Sequence, residues 1–254
     1  MLSTNEIKLL SSLKQKKYRE QEGRFLIEGF HLIEECLSSS FYLEKIIVRD
    51  DVDIKKAKIP QIKHVETVKL PPLQFKKLQE TDSSQGIIGV VKIPEQKKSN
   101  SIKGNLILAL DRINDPGNLG TILRTAYWFG VNKVLIGENS ADIFNSKVLR
   151  SSQGAVFHIN TEQNLKLSEE LLIYSQSGYN VYMFTLNSPD YLNEIQVKPK
   201  SVLVFGNESE GISSLLLKLP FNRVKIKGYT KCESLNVAVS CGIALQYFSP
   251  HIRA

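Results

Sequence analysis

Along the chain, short apolar runs alternate with stretches whose apolar residues recur every three to four positions, the signatures of buried strands and of helices with one buried face. Ser3 or Thr4 is positioned to cap a helix running to about residue 20, with Ile7, Leu10 and Leu13 on one face and Gly23 as its stop. A strand from Arg24 to Glu28 follows, and Gly29 leads into a helix carrying Leu32, Ile33 and Cys36. Further strands are predicted at Lys45 to Arg49, Ile62 to Val65 and Gly86 to Ile93, with a polar helix or loop from Asp50 and a helix from Pro72 to Gln79. The pattern describes a compact α/β unit over residues 1–93. Pro94 to Gly104 is polar and basic, lacks apolar periodicity and ends in glycine, which is the composition of a linker.

From residue 105 to 254 the alternation resumes in longer apolar runs. Strands are predicted at Leu106 to Leu110, Lys133 to Ile136, Val156 to Ile159, Asn180 to Thr185, Val202 to Phe205 and Asn222 to Ile226. Between them fall helices at Asn118 to Phe129, Asn145 to Ser151, Asn164 to Ser177 and Ser213 to Leu217, and a last one at Ser234 to Phe248. Strand after helix after strand, with runs as continuous as Val202-Leu203-Val204-Phe205, predicts a mostly parallel sheet with helices on both faces.

Composition narrows the function classes. With 42% hydrophobic and 23% charged residues in 254, the chain reads as an ordinary soluble globular protein. The charged N-terminus lacks a signal peptide, and no run approaches a membrane span, so a cytoplasmic location is expected. Cys36, Cys232 and Cys241 are odd in number and form no CxxC pair; they are expected to be reduced and buried, with neither disulfide nor metal. A net charge of +7 suits a polyanionic partner. Its densest stretch, Lys14 to Arg24 with Tyr18 inside it, fits a solvated helix face and a phosphate-contacting edge equally. No GxGxxG follows the first strand of either domain, which sets aside a dinucleotide-dependent oxidoreductase.

Candidate chemistry gathers in three polar loops of the second domain. Asp111 to Arg124, DRINDPGNLGTILR, turns at Pro116-Gly117, keeps its helix start thin with Gly120 and Thr121, and carries Arg124 on the same side one turn on. A buried arginine paired with an acid is the alternative for Arg124. Gly206 to Gly211 breaks a buried strand into a doubly acidic loop, where Gly206 admits close backbone approach of a ligand, or where Asn207 or Ser209 simply caps a turn. In Thr230 to Val237, Ser234 is positioned to cap the last helix and Asn236 to turn its amide toward the loop. His31, His64, His158 and His251 lie outside these loops, and Arg150 to Gly154 fits a helix C-terminus as well as an RNA contact.

DPGNLGTILRTA, LVFGNESEGI and ESLNVAVSCGIAL, in that order, resemble the three motifs of the SpoU (TrmH) family of RNA 2′-O-ribose methyltransferases, within the SPOUT superfamily. KYREQEGRFLIEGFHLIEECL and FKKLQETDSSQGIIGVV resemble the N-terminal, ribosomal-protein-like substrate-binding domain that many members carry. The resemblance implies a trefoil knot in the C-terminal sheet, a homodimer, S-adenosylmethionine as cofactor and no metal. It implies methyl transfer to a ribose 2′-hydroxyl of RNA, rRNA ahead of tRNA. By the same resemblance, Gly206, Ile226, Leu235, Thr185 and Leu186 contact the cofactor, and Arg124, Asn118, Glu208, Ser234 and Asn236 form the catalytic set. Arg124 would polarise the hydroxyl or grip the adjacent phosphate, Asn118 would orient Arg124 or the ribose, and Glu208 would organise the knot.

The family pattern of isoleucine, proline, methionine and, one residue on, glycine becomes Ile226-Lys227-Gly228-Tyr229-Thr230 here. Without proline's fixed φ the loop has another path open to it, which bears on cofactor affinity rather than on fold. That departure motivates the alternative of a non-catalytic RNA-binding ribosome-assembly factor on the same fold.

Overall fold

The computed structural model describes residues 2–54, 64–95 and 104–253. They form two compact units, one of residues 1–96 with 144–157 and the other of residues 97–143 with 158–254. The predicted linker at 94–104 lies largely outside the described residues.

In the first unit, α1 (Thr4–Ser12) opens with a capping box between Ser3 and Glu6. The single helix expected to residue 20 is instead two, because the chain breaks after Leu13 and restarts as α2 (Lys16–Glu22). Arg19 explains the break: buried to 4% exposure, its Nη1 donates to the carbonyls of Leu13 and Lys14 at 2.9 Å each, satisfying groups the broken helix end leaves open. Gly23, left-handed at φ 61°, ends α2. Strands β1 (Arg24–Glu28), β2 (Leu43–Arg49), β3 (Glu66–Leu70) and β4 (Ile87–Lys92) make a sheet in the order β1-β4-β2-β3, with α3 (Phe30–Leu37) and the short α4 (Pro72–Phe75) completing the unit. Both pairings of β4 are antiparallel and β2 with β3 is parallel. The strand predicted at Ile62 to Val65 begins at Glu66 instead; Ile62 itself lies outside the described residues. Residues 144–157 join this unit through aromatic packing. Phe144 stacks on Phe25 at 4.5 Å between centroids, and Phe157 meets Phe41 edge-on at 5.2 Å. They carry α6 (Ser146–Ser152), which ends on left-handed Gln153, so Arg150 to Gly154 is a helix C-terminus.

The second unit is built on β5 (Leu106–Leu110), β6 (Lys133–Gly137), β7 (Thr161–Leu165), β8 (Asn180–Phe184), β9 (Ser201–Phe205) and β10 (Asn222–Val224). Their order is β10-β8-β9-β5-β6-β7 and every pairing is parallel. Strands β5, β6 and β9 are buried at every residue, as their unbroken apolar runs require. Ile107, Ala109, Val202 and Val204 pack with Leu171 of α7 (Leu167–Gln176) and Leu216 of α8 (Ser214–Leu217) on one face. The alternate residues point to the other, where Phe248 of α9 (Val237–Arg253) meets Tyr182 and Phe184 of β8 edge-on at 5.0 and 6.5 Å. Helix α5 (Pro116–Trp128) packs beside α9, and its end at Gly130, φ 62°, is the glycine stop the sequence suggests.

Two boundaries differ from expectation for physical reasons. Val156 to Ile159 is not a strand: Ala155–Phe157 form a 3-10 turn, and the strand lies at Thr161–Leu165. As an edge strand, β7 needs no apolar run and is only partly buried, so its polar sequence hid it. Helix α9 starts at Val237 rather than Ser234, because Asn236 is the cap: its Oδ1 accepts from Ala238 N at 2.9 Å and Val239 N at 3.3 Å.

Candidate functional site

The carboxyl ends of β10, β8, β9 and β5 are neighbours on one edge of the parallel sheet, where open α/β sheets hold ligands. At the end of β9, Gly206 runs against its own loop. A Cβ there would lie 2.2 Å from Gly211 C and from Ile212 N. The loop is closed by Asn207 N to Gly211 O at 3.0 Å and Gly211 N to Asn207 O at 2.9 Å. Asn207 Oδ1 accepts from Ser209 N and Glu210 N at 2.9 and 3.0 Å, so the turn is capped by Asn207. Glycine at 206 is thus required by the loop's own closure.

This loop is laced to the one after β5. Asn207 Nδ2 donates to Arg112 O at 2.9 Å, and Asp111 Oδ2 accepts from Ser213 N at 2.7 Å. Arg112 holds a left-handed backbone at φ 58° and directs its guanidinium to the Glu210 carboxylate, which raises the already high arginine pKa, and to Gly211 O. Glu208 accepts from Asp115 N at 3.3 Å, Asn114 N at 3.4 Å and Asn118 Nδ2 at 3.0 Å. A carboxylate is favoured there, at the N-terminus of α5. Asn236 Nδ2 then donates to Asn118 Oδ1 at 2.9 Å, drawing in the third loop. Asn118 therefore joins Glu208 to Asn236, and its amide is engaged at both ends.

Arg124 is exposed on α5, and its side chain makes no hydrogen bond or ion pair among the described residues. That excludes the buried, acid-paired arginine considered from sequence. Ser234 is exposed, and its hydroxyl has no hydrogen-bond partner among the described residues; its carbonyl accepts from Cys232 Sγ at 3.3 Å. The structure gathers Asn118, Glu208 and Asn236 into one network and leaves Arg124 and Ser234 outside it.

Thr185 and Leu186 follow β8, Gly206 follows β9, Ile226 follows β10, and Leu235 precedes α9. Leu186 and Leu235 are 64% and 47% exposed, and Ile226 is half-buried. Between Ile226 and Leu235 no backbone–backbone hydrogen bond forms among the described residues; Cys232 N donates to Thr230 Oγ1 at 3.3 Å. Sequence reasoning named Asn207 as a turn cap but missed Asp111 and Arg112, to which its loop is tied. The signal was an acid-base pair, Asp111-Arg112, directly at the end of a buried strand.

Of the basic stretch, Lys14 Nζ donates to Gln79 O, Arg19 is buried, Arg24 pairs with Glu44 and Lys16 lies 3.7 Å from Glu20. Most of that charge is spent within the unit. Cys36 and Cys241 are buried, and burial pushes the Cys36 thiol up to about 12. Cys232 is exposed, contrary to expectation, because its loop packs on nothing that covers it. No cluster of metal-binding side chains occurs among the described residues, and His158 stacks on Tyr127.

Comparison with known proteins matches residues 105–246 to the SpoU rRNA Methylase family and residues 4–89 to the MRM3-like substrate binding domain. The chain is 35% identical over 243 residues to the 23S rRNA (guanosine(2553)-2′-O)-methyltransferase RlmP of Bacillus subtilis, covering 95% of each. Among solved structures it resembles a TrmH-family protein from Porphyromonas gingivalis, with a TM-score of 0.87, 31% identity and 99% of each chain covered. It also resembles the AdoMet-bound rRNA methyltransferase from Sinorhizobium meliloti, with a TM-score of 0.83 and 25% identity over 99% of this chain and 97% of that one.

Proposed function

Because the chain belongs to the SpoU rRNA methylase family, we propose that it is an S-adenosylmethionine-dependent methyltransferase acting on a ribose 2′-hydroxyl of RNA, ribosomal RNA ahead of tRNA. The observation that carries this reading is the Glu208–Asn118–Asn236 network, which ties three loops together at the start of the helix that carries Arg124. The residues fit the cofactor. Leu186, Ile226 and Leu235 offer apolar surface after β8, after β10 and ahead of α9, and the loop from Ile226 to Leu235, free of backbone–backbone hydrogen bonds among the described residues, offers donors and acceptors for the adenine edge. Thr185, Leu186, Gly206, Ile226 and Leu235 would hold it, and when bound it supplies a methyl group activated by a sulfonium.

The chain's task is then placement and field. A 2′-hydroxyl is a poor nucleophile until polarised. The Arg124 guanidinium, a donor-only cation, stabilises the developing alkoxide and accepts no proton itself. Glu208 and Asn236 keep Asn118 and the start of α5 in place, which fixes where Arg124 stands. Ser234, unengaged within the chain, is available to the nucleoside or to the cofactor's tail.

The homodimer, the trefoil knot and the cytoplasmic location belong to the same proposal. The exposed apolar residues Trp128 of α5 and Val239 of α9, on helices that pack side by side, support a second copy as their cover. The bonds that join the Gly206 loop to Arg112 and Asn118, and the one from Ser213 N to Asp111 Oδ2, support the knot. Residues 1–93 take the part of RNA substrate-binding domain and 105–254 that of methyltransferase domain, joined by the linker at 94–104. Isothermal calorimetry with S-adenosylmethionine tests the reading. Saturable binding is expected, and none at millimolar cofactor leaves only the non-catalytic RNA-binding assembly factor.

A further inference from the structure

Just past β10 the chain sets two lysines over one tyrosine ring. Lys225 Nζ lies 4.5 Å and Lys227 Nζ 5.4 Å from the Tyr191 centroid, and Lys227 Nζ is also 5.8 Å from that of Tyr229. All are within cation–π reach. The backbone fixes the arrangement: Lys225 N donates to Asp190 O at 3.0 Å, and Leu192 N to Lys225 O at 2.9 Å, so Tyr191 and Lys225 face each other in a parallel bridge. Tyr229 is 87% exposed and contributes nothing to the core. Beside it opens a cleft of ≈ 540 Å³, which Lys227 and Tyr229 line together with Leu192, Ile226, Asn193 and Gln246.

We propose that this cluster is a docking platform for a single-stranded stretch of RNA, with one unstacked base against Tyr229 in the cleft and the neighbouring phosphates on Lys225 and Lys227. An open aromatic face beside cations is how proteins hold single strands, and the Asn193 and Gln246 amides offer donors and acceptors to a base edge. The charge is complementary: Lys225, Lys227 and Lys231 stand against Glu233 alone between residues 225 and 236. Lys227 and Tyr229 also belong to the stretch Lys227 to Thr230, where this chain departs from the family pattern, so the platform is a property of this protein rather than of the motif. That the strand is substrate rests on the methyltransferase reading; that it binds does not.

The test is fluorescence anisotropy with a fluorescein-labelled, mixed-sequence single-stranded oligoribonucleotide, run beside calorimetry with S-adenosylmethionine and sedimentation on the same samples. Tyr229→Ala should weaken RNA binding about tenfold and Tyr229→Phe should restore it. Lys225→Ala with Lys227→Ala should lower the slope of log Kd against log salt by about 0.7 per lysine. The substitutions change side chains and leave in place the backbone groups offered to the cofactor, so all variants should bind cofactor as the wild type does and, on under-methylated ribosomal RNA, raise KM with kcat kept. Wild-type RNA affinity in these variants overturns the platform even if the protein methylates RNA. Equal loss of cofactor binding assigns the cluster to the cofactor pocket, and a change in subunit number assigns it to a contact between copies; either result overturns it. Weakened RNA binding in the variants of a wild-type protein that transfers no methyl would uphold the platform and sink the activity.

Discussion

Replacing Gly206 with alanine perturbs one methyl group where the structure has no room for it. Gly206 is not left-handed, so alanine meets no penalty from φ there. The cost is steric, because the new Cβ would sit 2.2 Å from Gly211 C and Ile212 N, and both are backbone atoms. To reach even 3.0 Å they must retreat by about 0.8 Å, an overpacking that costs about 1–3 kcal/mol. The paired bonds between Asn207 and Gly211 stretch with it, at about 0.5–1.5 kcal/mol each if lost. Part of the strain escapes through the exposed side of the loop, so a net loss of about 2–3 kcal/mol is expected, or about 5–10 °C in Tm for a unit of this size. The larger effect is positional: Glu208, two residues on, leaves Asn118 and the start of α5. Differential scanning calorimetry and cofactor titration measure the two consequences. Gly211→Ala is the control, since its left-handed φ of 69° costs about 1–2 kcal/mol while nothing lies within 4 Å of the added methyl. Gly206→Ala with wild-type Tm and cofactor affinity, or no more harmful to turnover than Gly211→Ala, refutes the reasoning.

Arg124→Ala should keep cofactor affinity and lower kcat by about 10²–10³, the usual cost of removing one electrostatic donor to a developing oxyanion, and parallel loss of both would contradict its role. Glu44, held below its ordinary 4.5 by the Arg24 guanidinium, stabilises the first unit above that pH and loses its contribution as pH falls through its lowered value. Acid titration followed by circular dichroism should therefore show a shallower loss of stability below pH 4.5 in Glu44→Gln than in the wild type. Of the three thiols, Cys232 alone should react promptly with Ellman's reagent in the folded protein, and Cys36 and Cys241 only after unfolding; a second fast thiol would contradict their burial.

Core strands such as Leu106–Leu110 were legible because burial on both faces demands unbroken apolar runs, and Arg24–Glu28, buried at alternate residues, also falls where the pattern puts it. Elements whose shape depends on distant partners were not. The break after Leu13 depends on Arg19 folding back on two carbonyls, and β7 is an edge strand whose polar sequence resembles a loop. In the site, the residue types in each loop could be read, but their meeting could not. Asn118 and Glu208 are 90 residues apart, and Asn118 and Asn236 are 118 apart. Arg112 escaped notice because its role depends on a left-handed backbone that arginine rarely takes and no pattern announces.

The most direct measurement is transfer of isotopically labelled methyl from S-adenosylmethionine to ribosomal RNA taken from cells lacking the gene, with 2′-O-methylated positions mapped afterwards. The expected result is label at a defined ribose 2′-oxygen with the wild-type protein and none with Arg124→Ala. Label on a base, or no label from a protein that binds both cofactor and RNA, would contradict the proposed reaction.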